Sequence, residues 1–144
     1  RTYGPRMQLR EGHLMPDFII DALDGKDLVI YGDEKFSTSV SYVSDVVDAL
    51  LRLMHVNEYL GPVNIGDDKR YLMSEIAQKI IAMTNSSSQI RYEPPIEFLT
   101  PLGLPDLTKA REELGWVPLV RLEDGLRKTI DYTIANKDAL GVGK

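Results

Sequence analysis

The stretch Leu28-Val29-Ile30-Tyr31-Gly32-Asp33 and the run from Tyr42 to Met54 that follows it decide the fold class. The first stretch has the β-branched and aromatic content of a short strand and is closed by a turn at Gly-Asp. In the second run the apolar residues recur with a period of 3.6, which predicts a helix with Ser44 or Asp45 as its N-cap. A strand followed by an amphipathic helix indicates a mixed α/β fold.

The same alternation continues on both sides of these stretches. Upstream, an apolar stripe with Pro16 in its first turn and Gly25 as its stop predicts a helix over about residues 15–24. Gly115 is expected to end a later helix in the left-handed conformation, with Trp116 folding back onto the last turn. The downstream predictions are strands at 63–66 and 89–92, and helices at about 76–81, 106–114 and 122–134.

Composition and charge exclude several classes of protein. The 144 residues, 43% of them hydrophobic, suit one core. The absence of Cys excludes disulfides and thiolate chemistry, and it fits a cytoplasmic location. A net charge of −5 argues against a nucleic-acid partner, and no apolar run approaches the roughly 18 to 20 residues that a membrane span needs. We therefore expect neither a nucleic-acid nor a membrane partner.

Side chains that could carry metal or nucleophilic chemistry are sparse. His13 and His55 lie far apart in the sequence and have no acidic pair at ligand spacing, so we expect no metal site. The serine-rich stretches at 37–44 and 86–88 contain no nucleophile-elbow motif and read as loops and caps. The paired carboxylates at 112–113 and 123–124 read as solvated helical turns.

A succession of short motifs along the chain resembles a known family. The motifs are Thr2-Tyr3-Gly4-Pro5-Arg6-Met7, Pro16-Asp17-Phe18-Ile19, Leu28-Val29-Ile30-Tyr31-Gly32, Tyr42-Val43-Ser44-Asp45, Pro62-Val63-Asn64-Ile65-Gly66, Pro105-Asp106-Leu107-Thr108-Lys109-Ala110, Leu114-Gly115-Trp116 and Leu122-Glu123-Asp124-Gly125-Leu126. In this order they resemble the C-terminal part of the extended short-chain dehydrogenase/reductase enzymes that act on nucleotide sugars, the NAD-dependent epimerase/dehydratase family. The resemblance is closest to the UDP-glucuronate decarboxylases and covers about residues 1–135.

The resemblance implies a fold for this chain and a reaction for the complete enzyme. The fold would be the α/β, C-terminal, substrate-side portion of an extended Rossmann-type enzyme, with the main dinucleotide-binding half outside these residues. Residues 1–136 would form the nucleotide-sugar-binding region and 137–144 a frayed tail. The complete enzyme would bind NAD and a UDP-linked sugar, and it would decarboxylate, dehydrate or epimerise the sugar after transient oxidation, with NAD carrying the hydride. A homodimer is a further possibility that the resemblance leaves open.

The resemblance also implies roles for individual residues. Thr2, Gln8 and His13 match positions near the cofactor, and Arg6 and Tyr31 match positions toward the nucleotide sugar, with Tyr31 near the base. Packing in a strand, a turn or the surface would explain the same residues without any ligand.

The catalytic Tyr-x-x-x-Lys pair of the family has no counterpart here. Only Tyr31 and Lys35 have the bare spacing, and they leave a strand and enter a polar turn, whereas the family's pair lies on a helix. No Gly-rich phosphate loop follows a strand either. We therefore assign no catalytic residue and expect the chain to be inactive alone. The alternative is a noncatalytic interaction or dimerisation module derived from the same fold.

Two departures from the family concern the diphosphate of the ligand. Thr38 and Gly103 occupy positions where family members usually carry arginines, each expected to make a charge-assisted contact with the diphosphate. The stretch 96–104 is apolar where the family's equivalent is basic. It is expected to cover a different ligand, to pack against the other half of the enzyme, or to pair with another subunit.

Overall fold

The computed structural model describes residues 1–9, 12–97 and 103–141, and within them it confirms a mixed α/β fold. The strands are β1 (Thr2–Tyr3), β2 (Leu28–Tyr31), β3 (Ser37–Thr38), β4 (Ser41–Tyr42), β5 (Tyr71–Leu72) and β6 (Ile90–Glu93). The helices are α1 (Leu14–Leu23), α2 (Val43–Met54), α3 (Met73–Thr84), α4 (Thr108–Leu114), α5 (Leu122–Ala135) and α6 (Lys137–Leu140). In this part of the chain, every helix is too short or too polar to cross a bilayer.

The strands pair two by two. β1 runs parallel to β4, with Tyr3 opposite Tyr42, and β2 runs parallel to β6, with Tyr31 opposite Glu93. β3 and β5 are antiparallel. Parallel neighbours need a long crossover between them. Helix α1 lies between β1 and β4 in the sequence, and α2 and α3 lie between β2 and β6.

The main core forms where α1, α3 and α5 pack together around β2. Helix α1 faces α3, and α3 also contacts α5, β2 and β6. Most of the apolar side chains on these helices are buried, as the 3.6-residue period predicts, whereas Ile134 near the end of α5 is 50% exposed. The buried side chains include Phe18, Ile19, Leu28, Ile30, Ile76, Ile80, Leu126 and Ile130.

The first strand is fastened to the last long helix through Tyr3. Its hydroxyl donates to the carbonyl of Leu122 at 3.3 Å, and its ring meets that of Tyr42 edge to face, with centroids 5.5 Å apart. The ring fits because Gly125 has no side chain: an added Cβ would lie 2.8 Å from Cζ of Tyr3. The glycine of the Leu-Glu-Asp-Gly-Leu motif is therefore a packing requirement.

A smaller core lies between α2 and α4 and is organised by Asp45. The buried carboxylate of Asp45 accepts the backbone N–H groups of Leu119 at 3.1 Å and Val120 at 3.0 Å. Its carbonyl accepts the indole N–H of Trp116 at 2.9 Å. The prediction of Ser44 or Asp45 as an N-cap is wrong, because α2 begins at Val43 and the Asp45 side chain turns to the 116–120 segment instead.

Two of the local predictions have clear outcomes. Gly115 ends α4 in the left-handed conformation, and the backbone N–H of Trp116 bonds back to Ala110, which confirms the predicted stop. The predicted strand at 63–66 is wrong, since the described residues offer it no ladder partner. Val63 and Ile65 pack instead against the smaller core.

Other differences concern short elements. β1, β3, β4 and β5 have two residues each and carry no periodic signal. Residues 137–140 form the short α6, and 142–144 lie outside the described residues, so the fraying of the tail stays a prediction.

We predict that Gly125→Ala destabilises the protein even though alanine is the better helix former by about 1 kcal/mol. The new methyl group meets the buried Tyr3 ring, and overpacking of this kind typically costs about 1–3 kcal/mol. Urea unfolding should show a net loss of up to about 2 kcal/mol, the packing cost less the gain in helix propensity. In a double-mutant cycle, Tyr3→Phe should recover part of that loss, because it removes the nearest atom; a Gly125→Ala variant more stable than the parent would contradict the proposed packing.

We also predict a loss of stability in alkali that depends on Tyr71. Its hydroxyl donates to Asp67 at 3.1 Å, and burial, followed by the charge of Asp67, raises the pKa of Tyr71 to about 12. The folded state therefore holds this proton more tightly than the unfolded state, whose tyrosine titrates near 10. Stability should be complete below about pH 10 and fall as the pH rises toward 12.

Urea unfolding at pH 8, 10 and 11 measures this effect. Tyr71→Phe should make the fall above pH 10 shallower, whereas Tyr59→Phe, at a side chain 95% exposed, should leave it unchanged. Equal slopes in Tyr71→Phe and the parent would contradict the prediction.

Candidate functional site

A cavity of about 650 Å³ opens where β2 and β6 end together. Because these strands are parallel and in register, Tyr31 and Glu93 leave the pair at the same edge, and the backbone N–H of Gly32 bonds to the carbonyl of Glu93 at 2.9 Å. The cavity is lined by Arg1, Tyr31, Gly32, Asp33, Lys35, Phe36, Ser37, Arg70, Tyr92, Glu93, Pro94, Pro95 and Ile96.

The turn after β2 shapes one wall of this cavity. The carboxylate of Asp33 accepts the N–H of Lys35 at 2.9 Å, and its carbonyl accepts the N–H of Phe36 at 3.0 Å. Gly32 approaches the Phe36 ring so closely that an added Cβ would lie 3.3 Å from Cγ. The turn thus holds an aromatic ring and a lysine side by side at the cavity.

Cations line the cavity more densely than carboxylates do. Arg1, Lys35 and Arg70 face two acidic residues, Asp33 and Glu93. Arg70 lies directly before β5, and its Nη1 donates to Oγ of Ser37 on β3 at 3.2 Å. The antiparallel pairing of β3 with β5 is what brings these two residues together. This arrangement suits a ligand that is anionic at one part and flat or apolar at another.

Tyr31 also borders a second cavity, of about 430 Å³, between α1 and β2. That cavity shares Tyr31, Phe36 and Ile96 with the first one. Ile96 begins the apolar 96–104 stretch, of which residues 98–102 lie outside the described part of the chain. The three expectations for that stretch therefore stay predictions.

The structure separates the two residues expected at the nucleotide sugar. Tyr31 is 43% exposed and lines both cavities. Arg6 lies elsewhere, in a left-handed conformation with φ of 67°, on a narrow crevice with Pro16 and Tyr132. They do not share a cavity in the described structure.

The three residues expected at the cofactor all lie on the surface. Thr2 is on β1 next to Arg1, Gln8 is in the segment before α1, and His13 precedes α1, where its carbonyl accepts the N–H of Asp17 at 3.1 Å. A dinucleotide site is built on a glycine-rich turn between a strand and a helix, and the described residues contain none. These three residues do not form a complete NAD site. The described residues also hold no group of three or more His, Asp or Glu side chains placed to bind a metal ion.

Sequence reasoning missed most of the cavity lining. The sequence singles out Lys35 only by its Tyr-x-x-x-Lys spacing from Tyr31, and the structure places it in a turn rather than on a helix. Arg70 had no signal of its own, because the two-residue strand after it has no periodicity to read. Of the positions where arginines were expected, Thr38 is buried and Gly103 is exposed.

Comparison with known proteins places these features in a family. Residues 1–66 match the model of the NAD dependent epimerase/dehydratase family. UDP-glucuronic acid decarboxylase 1 of Danio rerio is 39% identical over 131 residues, which are 91% of this chain and 31% of that protein.

Solved structures agree in fold. The UDP-glucose 4-epimerase of Thermotoga maritima, solved with UDP-glucose, superposes with a TM-score of 0.88 at 30% identity, over 95% of this chain and 44% of that one. The dTDP-glucose 4,6-dehydratase of Bacillus anthracis, solved with NAD, gives 0.83 at 26% identity, over 96% and 43%.

The chain spans about a third of the length of the curated decarboxylase it matches and less than half of each solved chain. Its Rossmann-type α/β fold and its sequence agree with the same set of enzymes, and the expectation that the cofactor is NAD agrees with the dehydratase relative. These matches place the chain in the NAD dependent epimerase/dehydratase family.

Proposed function

We propose that this chain is the substrate-side part of an NAD-dependent nucleotide-sugar decarboxylase, dehydratase or epimerase, and that it is inactive without the dinucleotide-binding part. The observation that carries the proposal is the cavity at the ends of β2 and β6, where Tyr31 lies beside three cations. The names of the relatives, a UDP-glucuronic acid decarboxylase and a UDP-glucose epimerase, support a UDP-linked ligand.

The cavity has the chemistry that a nucleoside diphosphate requires. Its volume of about 650 Å³ lies within the range of ordinary small-molecule sites, roughly 300–1,000 Å³. Tyr31 and Tyr92 are each a little over 40% exposed and offer ring faces for a base. Arg1, Lys35 and Arg70 offer N–H donors for phosphate oxygens. Ligand recognition is thus assigned to these residues.

The chemistry of the sugar is assigned to the complete protein. NAD, when bound there, would take a hydride from the sugar and return it. In this chain Thr2, Gln8 and His13 remain candidates for contacts with the cofactor, and Arg6 remains a candidate for the sugar nucleotide. None of them supplies a proton-transfer pair. The cytoplasmic location expected from the cysteine-free sequence also stays a prediction.

An apolar face on α2 supports the existence of a further part. Val47, Leu50, Leu51 and Met54 follow helical spacing and are each about half exposed or more, with Met54 at 78%. Helix α2 contacts β1, whose parallel pairing with β4 involves only two strands in the described structure. Parallel sheets are normally larger and covered on both faces, so we assign this face to the dinucleotide-binding part of the same protein.

The same α2 face also fits the second candidate function, a noncatalytic interaction module. A noncatalytic module that pairs with a second copy of itself would also need an exposed apolar helix face. The two candidates differ in what the chain binds, because only the substrate-side proposal requires the cavity to hold a nucleotide.

We predict that the 144-residue chain binds UDP and UDP-glucuronate but shows no NAD-dependent turnover. Isothermal titration should detect the nucleotides and find weaker or no binding of NAD, since the described residues lack a complete site for it. The Danio rerio decarboxylase serves as the active control for product formation and NADH absorbance. Conversion of UDP-glucuronate by the chain unaided would overturn the claim of inactivity.

We further predict that the chain has the mass of a monomer, 16.2 kDa, in light scattering at micromolar concentration. A discrete dimer that is lost in Leu50→Asp/Met54→Asp would favour the interaction module, especially if UDP does not bind. Ile134→Asp, at a similarly exposed apolar position on α5, is the matched control and should not change the mass.

A further inference from the structure

Arg70 differs from several other arginines in how its charge is used. Arg91 pairs with Asp27, Arg111 pairs with Asp68, and Arg52 pairs with Asp48 while also bonding two carbonyls. In the described residues Arg70 reaches no carboxylate. Among the described side chains, its hydrogen-bond partner is the neutral hydroxyl of Ser37.

The bond to Ser37 orients the guanidinium, and within the described part of the chain most of its donors have no other partner. An arginine side chain carries five N–H donors in a rigid fork, and Ser37 occupies one of them. Ser37 and Arg70 both line the cavity of about 650 Å³. A cation that is held by a neutral partner at a cavity wall keeps its full charge available for an anion.

The strand that holds Arg70 in place has no cation of its own. β3 consists of Ser37 and Thr38, and the Thr38 side chain is buried and donates to the carbonyl of Ser39 at 3.3 Å. Thr38 pairs with Tyr71, the first residue of β5, so the guanidinium comes from the residue directly before that strand. The β3 wall of the cavity is therefore positive because of Arg70, which the pairing of β3 with β5 brings to it.

We infer that Arg70, oriented by Ser37, is the residue that binds the diphosphate of the ligand in this cavity. The inference rests on the proposed function for the class of ligand, and it goes beyond it by assigning the anion to a residue at which the family resemblance places no role. Lys35 and Arg1 line the same cavity, but no hydrogen bond of the described structure fixes either charged group. Arg70 thus supplies the directed contact and the other two supply general positive potential.

The test compares UDP with uridine as ligands of the 144-residue chain. Uridine has the same base and ribose but no phosphate, so a phosphate-binding residue affects only UDP. Arg70→Gln should weaken UDP binding about tenfold or more and leave uridine binding unchanged. Raising the salt from 50 to 500 mM should weaken UDP binding by the parent more than by Arg70→Gln.

Two further variants separate charge from structure. Arg127→Gln removes an exposed arginine of α5 outside the cavity and should keep the UDP affinity within about twofold of the parent. Arg70→Lys keeps the charge without the fork and should recover part of the UDP affinity. Circular dichroism of each variant checks that the fold is retained.

The outcomes are distinct. If the parent chain binds UDP and Arg70→Gln binds it equally well, the assignment of Arg70 is wrong while the proposed function stands. Equal weakening of UDP and uridine in Arg70→Gln would show a structural role and would also overturn the assignment. Absence of UDP binding by the parent chain would overturn both.

Discussion

The packing of Tyr3 against Gly125 is the constraint on which the rest of the structure depends. A buried phenol needs both space for its ring and a partner for its hydroxyl. Gly125 provides the space, and the carbonyl of Leu122 provides the partner. Because this contact joins the start of the chain to its last long helix, it fixes β1, and with it the pairing of β1 and β4, on the main core. The N–H of Ser41 bonds to the carbonyl of Arg1 at 3.1 Å, so the cavity residue Arg1 is positioned by the same pair.

Most of the motifs that carry the family resemblance serve packing in this chain. Asp45 binds the backbone of the 116–120 segment, and Trp116 returns a bond to its carbonyl. Lys109, in the Pro-Asp-Leu-Thr-Lys-Ala motif, donates to the carbonyls of Leu60 and Pro62. Of the motif residues, Tyr31 is the one whose aromatic side chain lies at the large cavity. A match to these motifs therefore identifies the fold more strongly than it identifies the ligand.

The cavity lining has more positive than negative side chains, whereas the whole chain is acidic. The chain carries a net charge of −5, yet three cations and two carboxylates line the cavity. A net charge describes the average surface, whereas a ligand responds to the nearest groups, particularly inside a concavity where solvent screening is weaker. The overall acidity, which argues against a nucleic-acid partner, is thus compatible with a small anionic ligand. The expected arginine at position 38 is absent, and the positive charge at this wall comes from Arg70, directly before the neighbouring strand β5.

The sequence by itself determined the elements whose residues repeat. The stripes of α1, α3 and α5 and the strand at 28–31 could be predicted because burial of one face imposes a period on the side chains. Gly115 could be predicted because a left-handed stop favours glycine. Only the tertiary structure decided the two-residue strands, the turn of Asp45 toward the 116–120 backbone, and the meeting of Arg70 with Ser37 at the cavity. Each of these depends on a partner far along the chain. The residues next to it in the sequence do not indicate which distant segment supplies that partner.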